Sequence, residues 1–249
     1  MSPVDESQAE SSLIEHLIEL RARLLRGITG LVVVLVALLP FNQKIYNHLA
    51  DPLISQLPMG QGMIAVNPAT GFFAPLKLTF FLALFLAVPW LLYQAWAFIA
   101  PGLYQREKRL AKPLLVSSVA LFYLGCGFAY FLVLPSVFHF LTRFKPDAIS
   151  ITPDANSYLD FVLPVFFAFG ASFELPVAMV ILAAMGWLTP QQMRQGRGYA
   201  VVGIFVLAAV LTPPDVVSQL MLALPLCLLY EIGILASRWL VPAAGRSKQ

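Results

Sequence analysis

The sequence predicts an all-α polytopic membrane protein with six transmembrane helices in a cup-like arrangement and both termini cytoplasmic. The first observation is composition: 59% of the 249 residues are hydrophobic and 12% are charged, against about 25% charged in soluble domains. The second is a series of six apolar runs, because a charge at mid-bilayer costs about 2.5 to 3.5 kcal/mol on insertion scales and charges therefore bound the spans. The third is an uneven distribution of Lys and Arg between the two sides.

The six spans are defined by stretches between charged residues, of which the fourth is interrupted once, by Glu174. These stretches have 17, 28, 30, 33, 17 and 15 positions and lie between Arg26 and Lys44, Lys77 and Arg106, Lys112 and Arg143, Asp160 and Arg194, Arg197 and Asp215, and Asp215 and Glu231. An even number of spans puts both termini on one side, which then holds 12 of the 16 Lys and Arg residues. This bias predicts cytoplasmic termini.

The two ends of the chain are predicted to be short polar tails, at 1–12 and 241–249, around a membrane domain at 13–240. The first tail carries three acids and no basic residue, unlike the basic start of a cleavable secretion signal. We therefore expect the first span to remain in the mature chain.

A helix over Ser12 to Arg26 is predicted to lead into the first span and to form a docking surface. Ser12 followed by Glu15 matches a capping box, in which the Glu side chain returns to the cap amide. Glu19 has no such role, and its pairing with Arg23 is worth only roughly 0.2 to 0.5 kcal/mol, so a better guanidinium partner can displace it. The opposite face carries an apolar stripe formed by Leu13, Leu17, Leu20 and Leu24.

The second to fourth spans are predicted to be long, and their helices to be curved or kinked at prolines. Pro89, Pro164 and Pro176 fall inside them, as Pro225 does in the sixth span. A proline within a helix removes a hydrogen bond and bends the chain, although membrane helices also tolerate proline in general. Glu174 is the single ionisable side chain well inside a span. It is either a polar contact for another helix, a proton site, or a neutral hydrogen-bonded carboxyl of the fold.

Two further features lie in the loop after the second span and in the last two spans. Glu107 is the one acid among four basic residues of that loop, and it either pairs within the loop, which is worth little in water, or clamps a cationic ligand. The fifth and sixth spans are both predicted to be short, since fifteen residues reach about 22 Å against a hydrocarbon thickness of about 30 Å.

Enzyme chemistry finds little support in the sequence. His16, His48 and His139 fall in the inner tail, the outer loop and an outer span end, so they are not expected to share a metal. A glycine loop ending in Gly-Lys-Ser or Gly-Lys-Thr is absent from the sequence. We expect no catalytic activity, no metal, no cofactor and no nucleic-acid partner.

Five blocks in the chain carry a resemblance to a known family. They are HLIELR at His16 to Arg21, FFAPLKL at Phe72 to Leu78, WAFIAPGLY at Trp96 to Tyr104, FELP at Phe173 to Pro176 and LTPPD at Leu211 to Asp215. In this order they resemble the TatC subunit of the twin-arginine protein translocase, from about Leu13 to Leu240. The resemblance implies a cup-shaped, six-span receptor in the bacterial inner membrane that binds the paired arginines of signal peptides on folded cargo.

The resemblance also implies partners and residue roles. The expected partners are single-span proteins of the TatA and TatB type in a multimeric complex, together with membrane lipid, and the proton-motive force drives transport. Four residues are expected to form the signal-peptide site: Glu19, Glu107, Phe98 and Arg21. Three are expected to be polar intramembrane contacts for a partner helix: Glu174, Gln219 and Asp215. Four on the outer side are expected to be structural or responsive to cargo: Pro52, Phe72, Phe73 and Pro75.

Two other functions compete with the receptor. A proton-coupled secondary transporter of small solutes would use Glu174 as its proton carrier, but such proteins often contain inverted repeats, and the lengths of the first three runs do not correspond to those of the last three. A structural scaffold for other membrane proteins would bind no signal peptide.

Overall fold

The computed structural model describes residues 3–47, 69–99, 111–137, 154–211 and 216–240. Every regular element within these ranges is a helix, as predicted. The helices are α1 (Pro3–Leu38), α2 (Thr70–Ile99), α3 (Ala111–Phe128), α4 (Ala155–Ser172), α5 (Leu175–Ala184), α6 (Pro190–Gln195), α7 (Arg197–Leu211) and α8 (Val216–Leu240). Three predicted site residues, Pro52, Glu107 and Asp215, and the tail 241–249 lie outside the described residues.

The lengths of the apolar helices confirm the predicted six-span architecture. Five helical stretches are long and apolar enough to cross a bilayer: Ile14–Asn47, Thr70–Ile99, Lys112–Val137, Asn156–Ala184 and Gln219–Leu240. The shorter apolar helix Arg197–Val210 supplies the sixth. The protein is therefore a multi-pass, all-helical membrane protein.

The first helix begins earlier than its local motif indicates. α1 starts at Pro3, so Ser12 lies inside the helix, where backbone amides already bond to carbonyls four residues earlier. The predicted capping box from Ser12 to Glu15 is therefore wrong. Ten residues of the predicted tail, 3–12, are helical and continuous with the first span.

The faces of α1 are arranged as a bilayer requires. The stripe residues Leu17 and Leu24 are exposed on the outside of the bundle, while Glu19, Arg23 and Gly27 follow one another at four-residue steps and are progressively more buried. Gly27 lies against Leu91 of α2. The charged face of the helix therefore turns toward α2, and the apolar stripe faces the surroundings.

α1 and α2 approach closely at Gly30. A side chain there would collide with the indole of Trp90, so the absence of a Cβ lets the ring lie against the α1 backbone. The indole Nε1 donates a hydrogen bond to the carbonyl oxygen of Arg26, at 3.1 Å. Small residues at such crossings and side-chain hydrogen bonds between helices are typical of membrane bundles.

The centre of the bundle is formed by α3, α4 and α8. Its buried cluster includes Val133, Phe169 and Leu222. α3 continues beyond Phe128 through a π-helical turn, Ala129–Val133. Tyr123 ties α3 to α2, since its hydroxyl donates to the carbonyl of Phe85 at 3.0 Å.

The fourth span, Asn156–Ala184, is interrupted by a turn next to Pro176, where the sequence predicts a curved or kinked helix. α4 ends at Ser172, Phe173 and Glu174 form a turn, and α5 begins at Leu175. Pro176 therefore lies inside this span, as predicted. It occupies the first turn of α5, so its missing N–H leaves no helical hydrogen bond unmade. Pro89, Pro164 and Pro225 lie further inside their helices.

The two last spans differ in length. α7 has 15 residues and is short, as predicted, but α8 has 25 residues and reaches about 37 Å. The prediction of a short sixth span is wrong because α8 continues past Glu231. That carboxylate accepts a hydrogen bond from Arg197 of α7, at 2.5 Å, so an acid that marks a span end in the sequence is a paired residue within the helix.

Replacing Gly125 by alanine is expected to destabilise the bundle. The new Cβ would lie 2.6 Å from the carbonyl oxygen of Phe169, and backbone cannot move aside cheaply, so we expect a loss of about 1 to 3 kcal/mol. The measurement is the midpoint of thermal unfolding of the purified chain in detergent. Gly127→Ala is the control, because nothing lies within 4 Å of its Cβ. Equal midpoints for the two variants would contradict the close packing of α3 on α4.

Candidate functional site

The carboxylate of Glu19 lies near the N-terminal end of the first span. It accepts one hydrogen bond from the Arg23 guanidinium, at 3.4 Å, and the two side chains are 34% and 25% exposed. The predicted pairing across one helical turn is therefore present. At this distance the bond is long for a charge-assisted pair, and the remaining acceptor positions of the carboxylate are available to a second donor.

Phe98 lies beside the same part of α1. Its ring stacks on the imidazole of His16 with centroids 4.4 Å apart and planes inclined by 23°. His16 precedes Glu19 by three residues, which puts both on neighbouring positions of one helix face. α2 ends one residue after Phe98, at Ile99. The stack therefore brings the end of α2 to the turn of α1 that carries Glu19.

The other charged groups of this turn are open to a ligand. Arg21 is exposed and makes no hydrogen bond or ion pair with a described residue, and the same holds for Glu15. Within the described residues the structure thus brings Phe98 to the turn of α1 that carries Glu19, whereas Arg21 lies two residues further along α1 on another face of the helix.

The opposite end of the bundle carries the predicted outer residues. Phe72 and Phe73 are exposed and meet edge to face at 5.3 Å, whereas Pro75 is buried in α2. Lys77 follows and links α2 to α4, since its ammonium donates to Asn156 at 2.7 Å and pairs with Asp160. These residues lie far along α2 from Phe98 and do not join the Glu19 region.

Glu174 occupies the turn between α4 and α5. Val177, three residues later, belongs to one buried cluster with Trp96 of α2. Nε1 of Trp96 donates a hydrogen bond to the Ser118 hydroxyl of α3 at 3.4 Å. The buried Oε1 of Glu174 has no hydrogen-bond partner among the described residues. Because Trp96 lies near the end of α2, Glu174 is closer to the end of the bundle that carries Glu19 than to the end that carries Lys77.

Gln219 links the last two spans. Its Nε2 donates to the carbonyl oxygen of Phe205 at 3.1 Å, so part of its polar capacity is used within the chain. Within the described residues, no group of three or more His, Cys, Asp or Glu side chains is placed to hold a metal ion.

Three residues of this region were not identified from the sequence. His16 was weighed as a metal ligand and counted within a family block, although its three-residue spacing from Glu19 also indicates a shared face. Trp96 opens another block but was given no role, and Ser118 carries no signal beyond a small polar residue inside an apolar run. The hydrogen bond between Trp96 and Ser118 depends on how α2 and α3 pack.

The sequence of this chain matches the model of a known protein family. The family model described as "Sec-independent protein translocase protein (TatC)" matches residues 15–225. The chain belongs to the TatC family. The match contains Glu19, Phe98, Glu174 and Gln219 and begins within α1.

Curated TatC relatives cover almost the whole chain. The TatC protein of Haemophilus influenzae is 51% identical over 242 residues, 97% of this chain and 93% of the relative. That of Escherichia coli K12 is 51% identical over 237 residues, 95% of this chain and 92% of the relative. The relative from Halothiobacillus neapolitanus is 49% identical, and the chain spans 66% of its length.

A solved TatC structure has the same fold. The crystal structure titled "Twin Arginine Translocase Receptor- TatC" is 37% identical in sequence, has a TM-score of 0.77 and covers 90% of this chain and 99% of its own. These findings do not support the alternative of a small-solute transporter.

Replacing Glu174 by glutamine is expected to leave the stability of this TatC chain unchanged or to raise it. The change keeps the shape and the acceptor oxygen of the side chain and removes only its ionisable group. Oε1 of Glu174 has no hydrogen bond with a described residue to lose, so no stabilising contact of that atom disappears. The measurement is the thermal unfolding midpoint in detergent. Phe173→Ala is the control, because that ring is buried against Phe128 and its loss costs about 3 to 5 kcal/mol. A Glu174→Gln chain that unfolds as early as Phe173→Ala would make the carboxyl a structural residue.

Proposed function

We propose that this TatC chain is the receptor subunit of a twin-arginine translocase. It binds twin-arginine signal peptides of folded proteins at the cytoplasmic face of the bacterial inner membrane and organises TatA-type and TatB-type partners for export driven by the proton-motive force. The observation that carries the proposal is the stack of Phe98 on His16, which joins the end of α2 to the turn of α1 that presents Glu19. The likeness to a solved twin-arginine translocase receptor supports it.

The chemistry of the Glu19 region favours arginine as the ligand. A planar guanidinium meets a carboxylate through two parallel hydrogen bonds, whereas an ammonium acts as a point charge. The Arg23 side chain uses one long bond to Glu19, so an incoming arginine with better geometry replaces it. Phe98 and His16 offer flat ring surfaces beside this carboxylate, and arginine stacks on aromatic faces.

Glu107 supplies the second carboxylate in this proposal. It follows Ile99, the last residue of α2, by eight residues, and an extended chain of that length reaches at most about 28 Å. This reach includes the Glu19 turn, because Phe98 already lies beside it. The carboxylates of Glu19 and Glu107 then match two consecutive arginines. Arg21 keeps this end of α1 at the depth of the lipid headgroups.

The orientation follows from the basic residues. Twelve of the sixteen Lys and Arg residues fall on the side of the termini, which the positive-inside tendency assigns to the cytoplasm. The Glu19 turn is then cytoplasmic, where signal peptides are presented. Pro52, Phe72, Phe73 and Pro75 are then on the outer side, in a structural or cargo-responsive role.

Partner helices are proposed to dock at α7. Its exposed face is apolar, with Val202, Val206 and Val210 at four-residue steps and each at least 60% exposed. The helix is also short, so it does not extend across the full hydrocarbon core of the bilayer. Glu174, Gln219 and Asp215 are the proposed polar intramembrane contacts, and the buried Oε1 of Glu174 has no partner among the described residues.

A signal peptide with two lysines in place of two arginines is expected to bind about tenfold more weakly, because each lysine loses the second hydrogen bond of the guanidinium. Glu19→Gln is expected to weaken binding of the twin-arginine peptide by a similar factor. The measurement is retention of a fluorescent signal peptide by the detergent-solubilised chain.

Glu15→Gln is the matched control for this experiment, since Glu15 is exposed on the same helix, one turn before Glu19. It is expected to bind like the wild type. Equal binding of the twin-arginine and twin-lysine peptides would refute the proposal that the site prefers arginine for its two parallel hydrogen bonds. Full binding by the double variant Glu19→Gln, Glu107→Gln would remove the site assignment.

A photo-cross-linking residue at Val206 is expected to capture a TatA-type or TatB-type protein in native membranes, because this position lies on the exposed face of α7. Val116 of α3 is the control, since it is similarly exposed, at 69% against 60%, but lies on another helix. The measurement is the adduct detected with antibodies to each partner. Equal capture at the two positions would contradict docking at α7.

A further inference from the structure

An apolar groove runs along the outside of the bundle between α1 and α2. Its volume is about 440 Å³, within the range of about 300 to 1,000 Å³ that small-molecule sites occupy. It is lined by Arg26, Thr29, Gly30, Val33, Val34, Leu86, Ala87 and Trp90. Val33, Leu86 and Trp90 at its rim are all exposed, so the groove opens sideways to the bilayer. An occupant must therefore be soluble in the membrane.

The polar groups of the groove are satisfied, with one exception. The Trp90 indole donates to the carbonyl oxygen of Arg26, and the Thr29 hydroxyl donates to the carbonyl oxygen of Leu25 at 2.7 Å. The Arg26 guanidinium makes no hydrogen bond or ion pair with a described residue, although Arg23, one turn earlier, is paired. The groove thus combines a long apolar floor with one uncommitted cation at its end.

We propose that this groove binds an anionic phospholipid, with the headgroup phosphate on Arg26 and an acyl chain along Val33, Val34 and Leu86. A guanidinium meets phosphate oxygens through two parallel hydrogen bonds. Basic pockets between membrane helices recognise anionic headgroups in this way. Arg26 marks the polar end of the first apolar run, so a phosphate bound there lies at headgroup depth while the chain points toward the bilayer centre.

The shape of the site depends on Gly30 and Trp90. Because Gly30 has no side chain, the indole lies against α1 and forms one wall of the groove, and its fixed hydrogen bond holds that wall in position. Ala87 contributes a small side chain to the floor. The lipid is distinct from the signal peptide proposed above, since the groove lies on the outer surface of α1 and α2 and beyond the Glu19 turn.

The test is native mass spectrometry of the delipidated full-length chain in detergent, titrated with phosphatidylglycerol or with phosphatidylcholine of the same acyl chains. The first phosphatidylglycerol is expected to bind about fivefold more tightly than phosphatidylcholine. This factor is the affinity that one basic residue contributes beside an anionic headgroup. Arg26→Gln is expected to remove this preference. Arg238→Gln is the control, because Arg238 is an exposed basic residue in the last turn of α8.

A steric variant keeps the proposal testable if Arg26→Gln does not fold. Val33→Trp adds bulk at an exposed rim position without changing charge, and it is expected to reduce binding of the first phosphatidylglycerol about fivefold. Three outcomes overturn the site: equal wild-type affinity for the two lipids, an equal effect of Arg238→Gln and Arg26→Gln, or wild-type binding by Val33→Trp. Retained preference in Arg238→Gln together with reduced binding in Val33→Trp supports it.

Discussion

Charged side chains are costly in the hydrocarbon core, and the described residues meet this constraint by pairing charges across helices near the ends of the spans. Lys77 of α2 pairs with Asp160 of α4 at one end of the bundle. Arg197 of α7 pairs with Glu231 of α8 at the other. The first pair joins two helices that run in the same direction and the second joins two of opposite direction, so the same contacts that reduce the cost of burial also fix which helices are adjacent. Glu174 is different, because no basic residue lies within salt-bridge distance of it among the described residues.

The same constraint explains which parts of the fold could be predicted from the sequence. Charge-free runs identified the six spans because insertion cost depends on residue type and position along the chain, and both are visible in the sequence. The sixth span was judged too short because a sequence does not show that Glu231 is paired with Arg197 and can stay within a helix. A bend in the fourth span was predicted from its prolines, but the turn at Phe173 and Glu174 was not located, since apolar residues and proline occur in both broken and continuous membrane helices.

The candidate site was predictable where it depends on one helix and unpredictable where it depends on two. The pairing of Glu19 with Arg23 follows from four-residue spacing within α1, and the structure contains it. The stack of Phe98 on His16 requires the crossing of α1 and α2, which Gly27 and Gly30 set by allowing close approach. Ser118 and Trp96 became visible only through packing against the α4–α5 turn. The capping-box error has a local cause as well, since a motif of four residues cannot indicate that a helix started several turns earlier.

The length of α7 has a consequence for the surrounding lipid. Its 15 residues cover about 22 Å of a hydrocarbon layer about 30 Å thick, while α2 and α8 are long enough to match the full layer. Compression of the neighbouring lipids by about 8 Å would compensate this mismatch at a fraction of a kcal/mol for each ångström. A second helix that covers this edge would release that deformation energy. Membrane thickness would then control how strongly a neighbouring helix is attracted to α7.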